Sequence, residues 1–272
     1  MRHIIAALAM HESDIHVIDK AEELSKKTGA KLTYLHAIDT PLFDFFNSKT
    51  IDENEVREEI INSVKKRSKA KEVNLITAAT KGWELILKTA KDFSADLVIL
   101  GNMSKSHAVV YMGSTAKRVL EKIGIPVFIA RDKPINGKIL IPTDLGYYTM
   151  SASKVKEFLK TDSEITYLYA NSASFSDVVP YATLAVQSLE FVQEEIEKQV
   201  DEFKQERTDA ETVVMEAESV SEAIKDYAEQ NGYTTIVLAS KNLSGLNPVI
   251  FGSTASKIAQ IADTNLLLTF VE

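Results

Sequence analysis

Two tripeptides offer the clearest chemistry in this sequence, Gly113–Ser114–Thr115 and Gly252–Ser253–Thr254. Each opens a helix-like stretch that gives way to an apolar strand, MGSTAKRVLEKIGIPVFIA over 112–130 and FGSTASKIAQIADTNLLLTF over 251–270. A helix start presents unpaired N–H groups and the positive end of its dipole, and glycine there lets an anion come close to the backbone. The Ser and Thr hydroxyls add donors, so phosphate is the ligand group that this pattern suits. The structural alternative is that Ser114, Thr115, Ser253 and Thr254 only cap helices, a common task for these residues. Gly101 and Ala239 bear on the choice because they end the apolar runs DLVILG and TTIVLA, and the loop after each leads to a tripeptide. Ligands of open parallel sheets sit outside the carboxyl ends of such strands.

The elements that would hold these turns occur twice. The offset is 135 residues from Ile4 to Ile139 and 139 from Gly113 to Gly252. Four pairs of apolar runs recur in order: RHIIAALAM and GKILIPTDL, LTYLHAID and ITYLYANS, DLVILGN and TTIVLAS, PVFIAR and NLLLTFVE. Apolar runs without alternation are those of parallel strands covered on both faces. Helices fill the intervals. With Ser13 as N-cap, Ile15, Ile18, Ala21 and Leu24 share one face before Gly29 stops the helix. The charged segments IDENEVREEIINSVKKRSKA and SLEFVQEEIEKQVDEFKQERTD read as solvated helices with i,i+4 pairing. The order implies an α/β fold of two similar domains, 1–133 and 134–272. Each is an open parallel sheet of about five strands with helices on both faces. The polar stretch DKPINGK, 132–138, is the linker, with the boundary near Pro134.

Composition excludes several classes. The chain has 272 residues, 45% of them hydrophobic and 26% charged, and lacks an apolar run long enough to span a bilayer. No membrane association is expected, and MRHIIAALAM reads as a first strand instead of a signal peptide. A net charge of −8 argues against a nucleic-acid partner. The absence of cysteine rules out disulfides and thiolate chemistry and fits a cytoplasmic protein. No P-loop GKS/GKT and no G-x-S-x-G elbow occurs, and the second half has no histidine to serve Ser253 as a base, so no catalytic residue is assigned. All five histidines, His3, His11, His16, His36 and His107, lie in the first half. His11, Glu12, Asp14 and His16 lack the i,i+4 histidine pair of a metal helix, so no metal site is assigned. His36 is expected near the crevice, with Tyr169 as its counterpart. Trp83 and PLFDFF at 41–46 are read as core or interface packing.

The element order and the pattern G-x-x-G-(nine residues)-G-S/T resemble the universal stress protein family, here as a tandem pair covering essentially the whole chain. The resemblance implies that an adenine nucleotide such as ATP is bound, accompanied by Mg where it is ATP, with an Asp at the end of the first strand holding the adenosine end. It further implies that the two halves pair through their last strands, as single-domain relatives do in homodimers; no residue marks further dimerisation of the chain. Neither half matches fully. The first has Gly101, then Ser104 in place of the second glycine, with eight residues instead of nine separating it from Gly113, and Leu8 is read at the Asp position. The second keeps Asp144 and the nine-residue spacing before Gly252 but carries Ala239 and Asn242 in place of the leading glycines. The expected contacts are therefore Asp144, Ala239, Asn242, Gly252, Ser253 and Thr254 in the favoured second half, and Gly101, Gly113, Ser114 and Thr115 in the first. The function implied is a non-catalytic stress-response binding and signalling module. Its alternative is a nucleotide-free interaction scaffold with decayed phosphate loops.

Overall fold

The computed structural model describes residues 1–38, 53–68, 72–101, 105–106, 109–110, 113–146, 149–172, 182–241 and 252–271. The first half runs β1 (His3–Leu8), α1 (Asp14–Thr28), β2 (Lys31–Ile38), α2 (Glu53–Arg67), β3 (Leu75–Ala79), α3 (Gly82–Asp92) and β4 (Leu97–Gly101). A two-residue pair, β5 (Lys105–Ser106) and β6 (Val109–Val110), precedes α4 (Ser114–Leu120) and β7 (Val127–Ala130). The second half runs β8 (Lys138–Thr143), α5 (Ala152–Leu159), β9 (Ile165–Ser172), α6 (Ala182–Glu206), β10 (Glu211–Ala217), α7 (Val220–Gln230), β11 (Tyr233–Lys241), α8 (Ser253–Ile261) and β12 (Asn265–Val271).

All of these strands except the antiparallel pair β5 and β6 form one ten-stranded sheet in the order β10-β9-β8-β11-β12-β7-β4-β1-β2-β3. Pairing is parallel within each half. At the centre β12 runs antiparallel to β7, with Leu267 opposite Phe128, so the last strands pair as the resemblance implied. The antiparallel junction has a geometric consequence: the carboxyl ends of the two halves' strands open on opposite edges of the sheet.

Burial explains the apolar runs. Ile4, Ile5, Leu97, Phe128, Ile139, Ile236 and Leu267 are fully enclosed. One side of the sheet packs on Ile18 and Leu24 of α1, Ile60 of α2, Val155 of α5 and Phe203 of α6. The other packs on Ile86 of α3, Val119 of α4, Ile224 of α7 and Ile258 of α8. Among their described side chains, the charged α2 buries Ile60 and Val64 and α6 buries Val200 and Phe203. Gly29 takes the left-handed conformation, φ 71°, and stops α1. Ser13 does not cap that helix: its backbone is helical and its hydroxyl makes no cap bond. Among the described residues no helix is long and apolar enough to cross a membrane.

The stretch read as a linker is anchored. Ile135 is fully buried, and a Cβ on Gly137 would lie 2.3 Å from Thr234 side-chain atoms. Asn265, also enclosed, bridges the halves: its Oδ1 accepts from Arg131 N at 2.8 Å, and its Nδ2 donates to the carbonyls of Lys133 at 3.0 Å and Pro134 at 3.3 Å. The buried Arg131 guanidinium donates through Nη2 to Ala259 O at 2.9 Å. Burial pushes its pKa down to about 10, against the opposing pull of Asp263.

Two predictions follow from these contacts. Asn265→Ala strips partners from buried backbone groups and should cost about 1–3 kcal/mol in urea unfolding; a wild-type midpoint would show that the junction does not rely on this side chain. Asp209 anchors the start of α5, accepting from Ser153 N at 2.9 Å and from the Tyr167 hydroxyl at 3.0 Å, while Tyr167 Oη accepts from Ala152 N at 2.7 Å. Burial raises the Asp209 pKa, but the donors, Ser153 N–H first, outweigh it and hold the carboxyl below its ordinary value. A carboxyl lowered in the folded state contributes stability above its unfolded pKa, and that contribution is lost as the pH falls through the folded one. The stability gap between wild type and Asp209→Asn should therefore be wide near neutrality and close below about pH 4; a gap independent of pH would contradict this role.

Candidate functional site

The sheet register fixes which positions of the two halves correspond. Leu8 pairs with His36 and Thr143 pairs with Tyr169, so Leu8 matches Thr143 and Ala9 matches Asp144. The backbone agrees, since Met10 and Leu145, the next residues, are both left-handed at φ 60° and 63°. The Leu8 assignment made from sequence is therefore one residue early, because an apolar run carries no mark of where the strand ends and the kink begins.

The kinked turn shows what replaces the missing carboxylate. In the second half Asp144 Oδ1 accepts from Gly146 N at 2.9 Å, and Thr143 Oγ1 accepts from Leu145 N at 2.9 Å. A Cβ on Gly146 would lie 2.8 Å from Asp144 Oδ1, so a larger residue there would displace the carboxylate from its bond. In the first half Asp14, at the start of α1, supplies the charge. Both of its oxygens accept from Ala9 N at 3.1 Å, and Oδ2 accepts from His11 N at 3.2 Å. Asp14 is 3% exposed. Sequence reasoning weighed Asp14 only as a metal ligand; the usable signal was an acidic residue opening a helix directly after a strand. His11 Nδ1 meets Ser13 Oγ at 3.0 Å, and His16 Nδ1 lies 3.8 Å from Asp132 Oδ1.

The first half's carboxyl edge encloses a cavity of about 470 Å³, a volume suited to a small ligand. Leu8, Leu35, Ile38 and Leu100 supply much of its apolar wall, and Gly101, Gly113, Ser114 and Thr115 all line it. Gly101 ends β4, and a Cβ there would come within 3.2 Å of Val17, so glycine answers to the close passage of α1. Gly113 holds the N-cap at φ −58°, which places Ser114 and Thr115 inside the first turn instead of at the cap. Thr115 packs on Gly82, whose added Cβ would lie 3.3 Å from Thr115 Cγ2. Trp83 is half-buried, with Arg118 of α4 and Lys122 just after that helix over its ring at 5.6 and 5.8 Å. A second hollow, about 870 Å³, lies against α1 with Asp19, Glu22, Glu23 and Glu72 facing Lys20 and Lys26; acids predominate there, which disfavours phosphate.

In the second half Gly252 holds the N-cap at φ −56°, with Ser253 and Thr254 in the first turn. A Cβ on Gly252 would meet no atom of the described residues within 4 Å, and its φ does not require glycine. Ala239 does not end its strand. It pairs with Thr269 inside β11, which continues to Lys241, and its φ is not positive. Replacement of glycine there is thus free of backbone strain. Tyr169 stands beside this crevice, its hydroxyl held above the ordinary phenol range by burial and then by Asp144. Asn242, Ser104, His107 and 41–46 lie outside the described residues.

A doubly wound α/β unit of the nucleotide-binding type, present twice in one sheet, is the class that this architecture defines. The sequence model of the universal stress protein family matches residues 1–131 and again 136–269. The chain belongs to the universal stress protein family. A curated relative, universal stress protein A homolog 2 of Coxiella burnetii, is 28% identical over 141 residues, 48% of this chain and 96% of the relative. Two solved structures share the tandem fold across nearly the full length. A functionally unknown protein from Pseudomonas aeruginosa PAO1 has TM-score 0.69 at 14% identity, covering 99% of this chain and 92% of its own. A universal stress protein from Archaeoglobus fulgidus has TM-score 0.60 at 16% identity, covering 98% of each.

The geometry generates one test. Asp14→Ala would leave the Ala9 and His11 amides without their acceptor, at a cost of about 1–3 kcal/mol. Thermal unfolding should show the loss, and an unchanged transition would mean that the turn holds without its carboxylate.

Proposed function

We propose that the protein is a cytoplasmic, non-catalytic binding and signalling module that takes an adenine nucleotide at the carboxyl edge of the first half. The cavity carries this reading: an apolar slot at the ends of β1, β2 and β4 is bordered by the Gly113–Ser114–Thr115 turn. The slot suits a purine, and the turn supplies amides and hydroxyls to phosphate oxygens. Mg would accompany ATP through its phosphates. The second crevice, with Asp144, Ala239, Asn242, Gly252, Ser253 and Thr254, is the secondary candidate, supported by the helix start at which Gly252, Ser253 and Thr254 stand. The reading treats 1–133 and 134–272 as the two domains.

Protein purified without added ligand should release adenine nucleotide on denaturation, and the stripped chain should bind ATP with a change in Trp83 emission. Gly113→Val should weaken binding through the first half and Gly252→Val through the second. Each backbone angle accepts valine, so a retained fold is expected. No response at millimolar ATP would instead identify a nucleotide-free interaction scaffold.

A further inference from the structure

We propose that the larger hollow, against α1, binds a free amino acid with a cationic side chain, its carboxylate held by Lys20. The hollow measures about 870 Å³ and lies between α1, Leu32 and Tyr34 of β2, and the residues that lead into β3. It is separate from the carboxyl edge to which nucleotide is assigned, so the inference stands without that reading. Lys20 carries the argument. It is 8% exposed, lines the hollow, and makes no hydrogen bond or ion pair among the described residues. Its Nζ is not one of the fully enclosed polar atoms that lack a partner, so the ammonium keeps accessible surface on the hollow. A buried lysine is ordinarily paired, because a desolvated charge without a counter-ion is costly. A stem that merely snorkels delivers its head to bulk water. Here the head reaches a recess walled by carboxylates, none of them within ion-pair distance of it, and an anionic group of a ligand fits that gap.

The rest of the wall selects what accompanies that group. Asp19, Glu22, Glu23 and Glu72 outnumber Lys20 and Lys26 among the described lining residues. Two of the acids are already engaged: Glu22 Oε1 accepts from the Tyr34 hydroxyl at 3.2 Å and from Ser68 Oγ, and Glu23 pairs with Lys27 at 2.8 Å. Asp19 and Glu72 make no hydrogen bond or ion pair among the described residues and remain for a ligand cation. An inorganic anion would meet the acidic surplus. A divalent cation would need acids gathered round one point, and the described residues contain no such group. A polyamine would set ammonium against Lys20. A ligand that carries a carboxylate for Lys20, an α-ammonium for Asp19 or Glu72 and a second cation for the surplus satisfies every charge, with Leu32 and Tyr34 as the wall for its methylenes.

The test titrates arginine and agmatine, the same molecule without its carboxylate, into the full chain by calorimetry. Wild type should bind arginine saturably, one per chain, and agmatine about tenfold more weakly or less. Lys20→Met, which keeps the buried stem, should bring arginine down to the level of agmatine, and Glu72→Gln should weaken both. Circular dichroism verifies the fold of each variant, and the wild-type comparison stands even if a variant fails to fold. Equal affinity of wild type for the two compounds overturns the proposal and leaves only an acidic patch that attracts cations. A preference for arginine that persists in folded Lys20→Met overturns the role of Lys20. Absence of saturable binding at millimolar arginine overturns the site, and Lys20 then faces water alone.

Discussion

The pairing of β7 with β12 is the constraint on which the rest of the structure depends. A doubly wound sheet leaves its last strand with an unpaired row of N–H and C=O groups, and such an edge must be covered. Here each half covers the other, with Phe128 opposite Leu267 and both wholly enclosed. Asn265 extends the bond pattern past the end of the strands, tying Arg131, Lys133 and Pro134 to the second half. The junction also accounts for the fixed path of 132–137, which carries Ile135 into the core.

Much of the fold was legible because its strands are covered on both faces. Runs such as IIAAL, LVIL and NLLLT have no polar side to confuse with a helix, and the repeat confirmed their order. The third strands were the exception. β3 and β10 are the edges of the sheet, and β10 leaves Val214 44% exposed. Their sequences, LITAA and ETVVMEA, therefore lack the continuous apolar signature. Similarly, Pro and Gly marked 132–138 as a connection without revealing that Gly137 is glycine to let Thr234 pass.

The candidate site was legible in its residue types and illegible in its alignment. The tripeptides fall at helix starts as expected, and Gly101 ends its strand. What sequence alone did not yield was the left-handed residue at positions 10 and 145, since Met and Leu give no hint of it. That single angle fixes the register of the turn and makes Ala9, not Leu8, the counterpart of Asp144. The kinked backbone exposes amides that a carboxylate can take from either flank: Asp14 takes those of Ala9 and His11 in the first half, and Asp144 that of Gly146 in the second. The second half was favoured on spacing and Asp144, whereas the described cavity belongs to the first.

The two crevices open on opposite edges of one covalent sheet, and the residues around them have diverged: Ala9 against Asp144 and His36 against Tyr169. In a dimer of identical chains any substitution changes both sites at once. Fusion removes that coupling of inheritance, so one site can be refined for a ligand while its twin drifts toward another task.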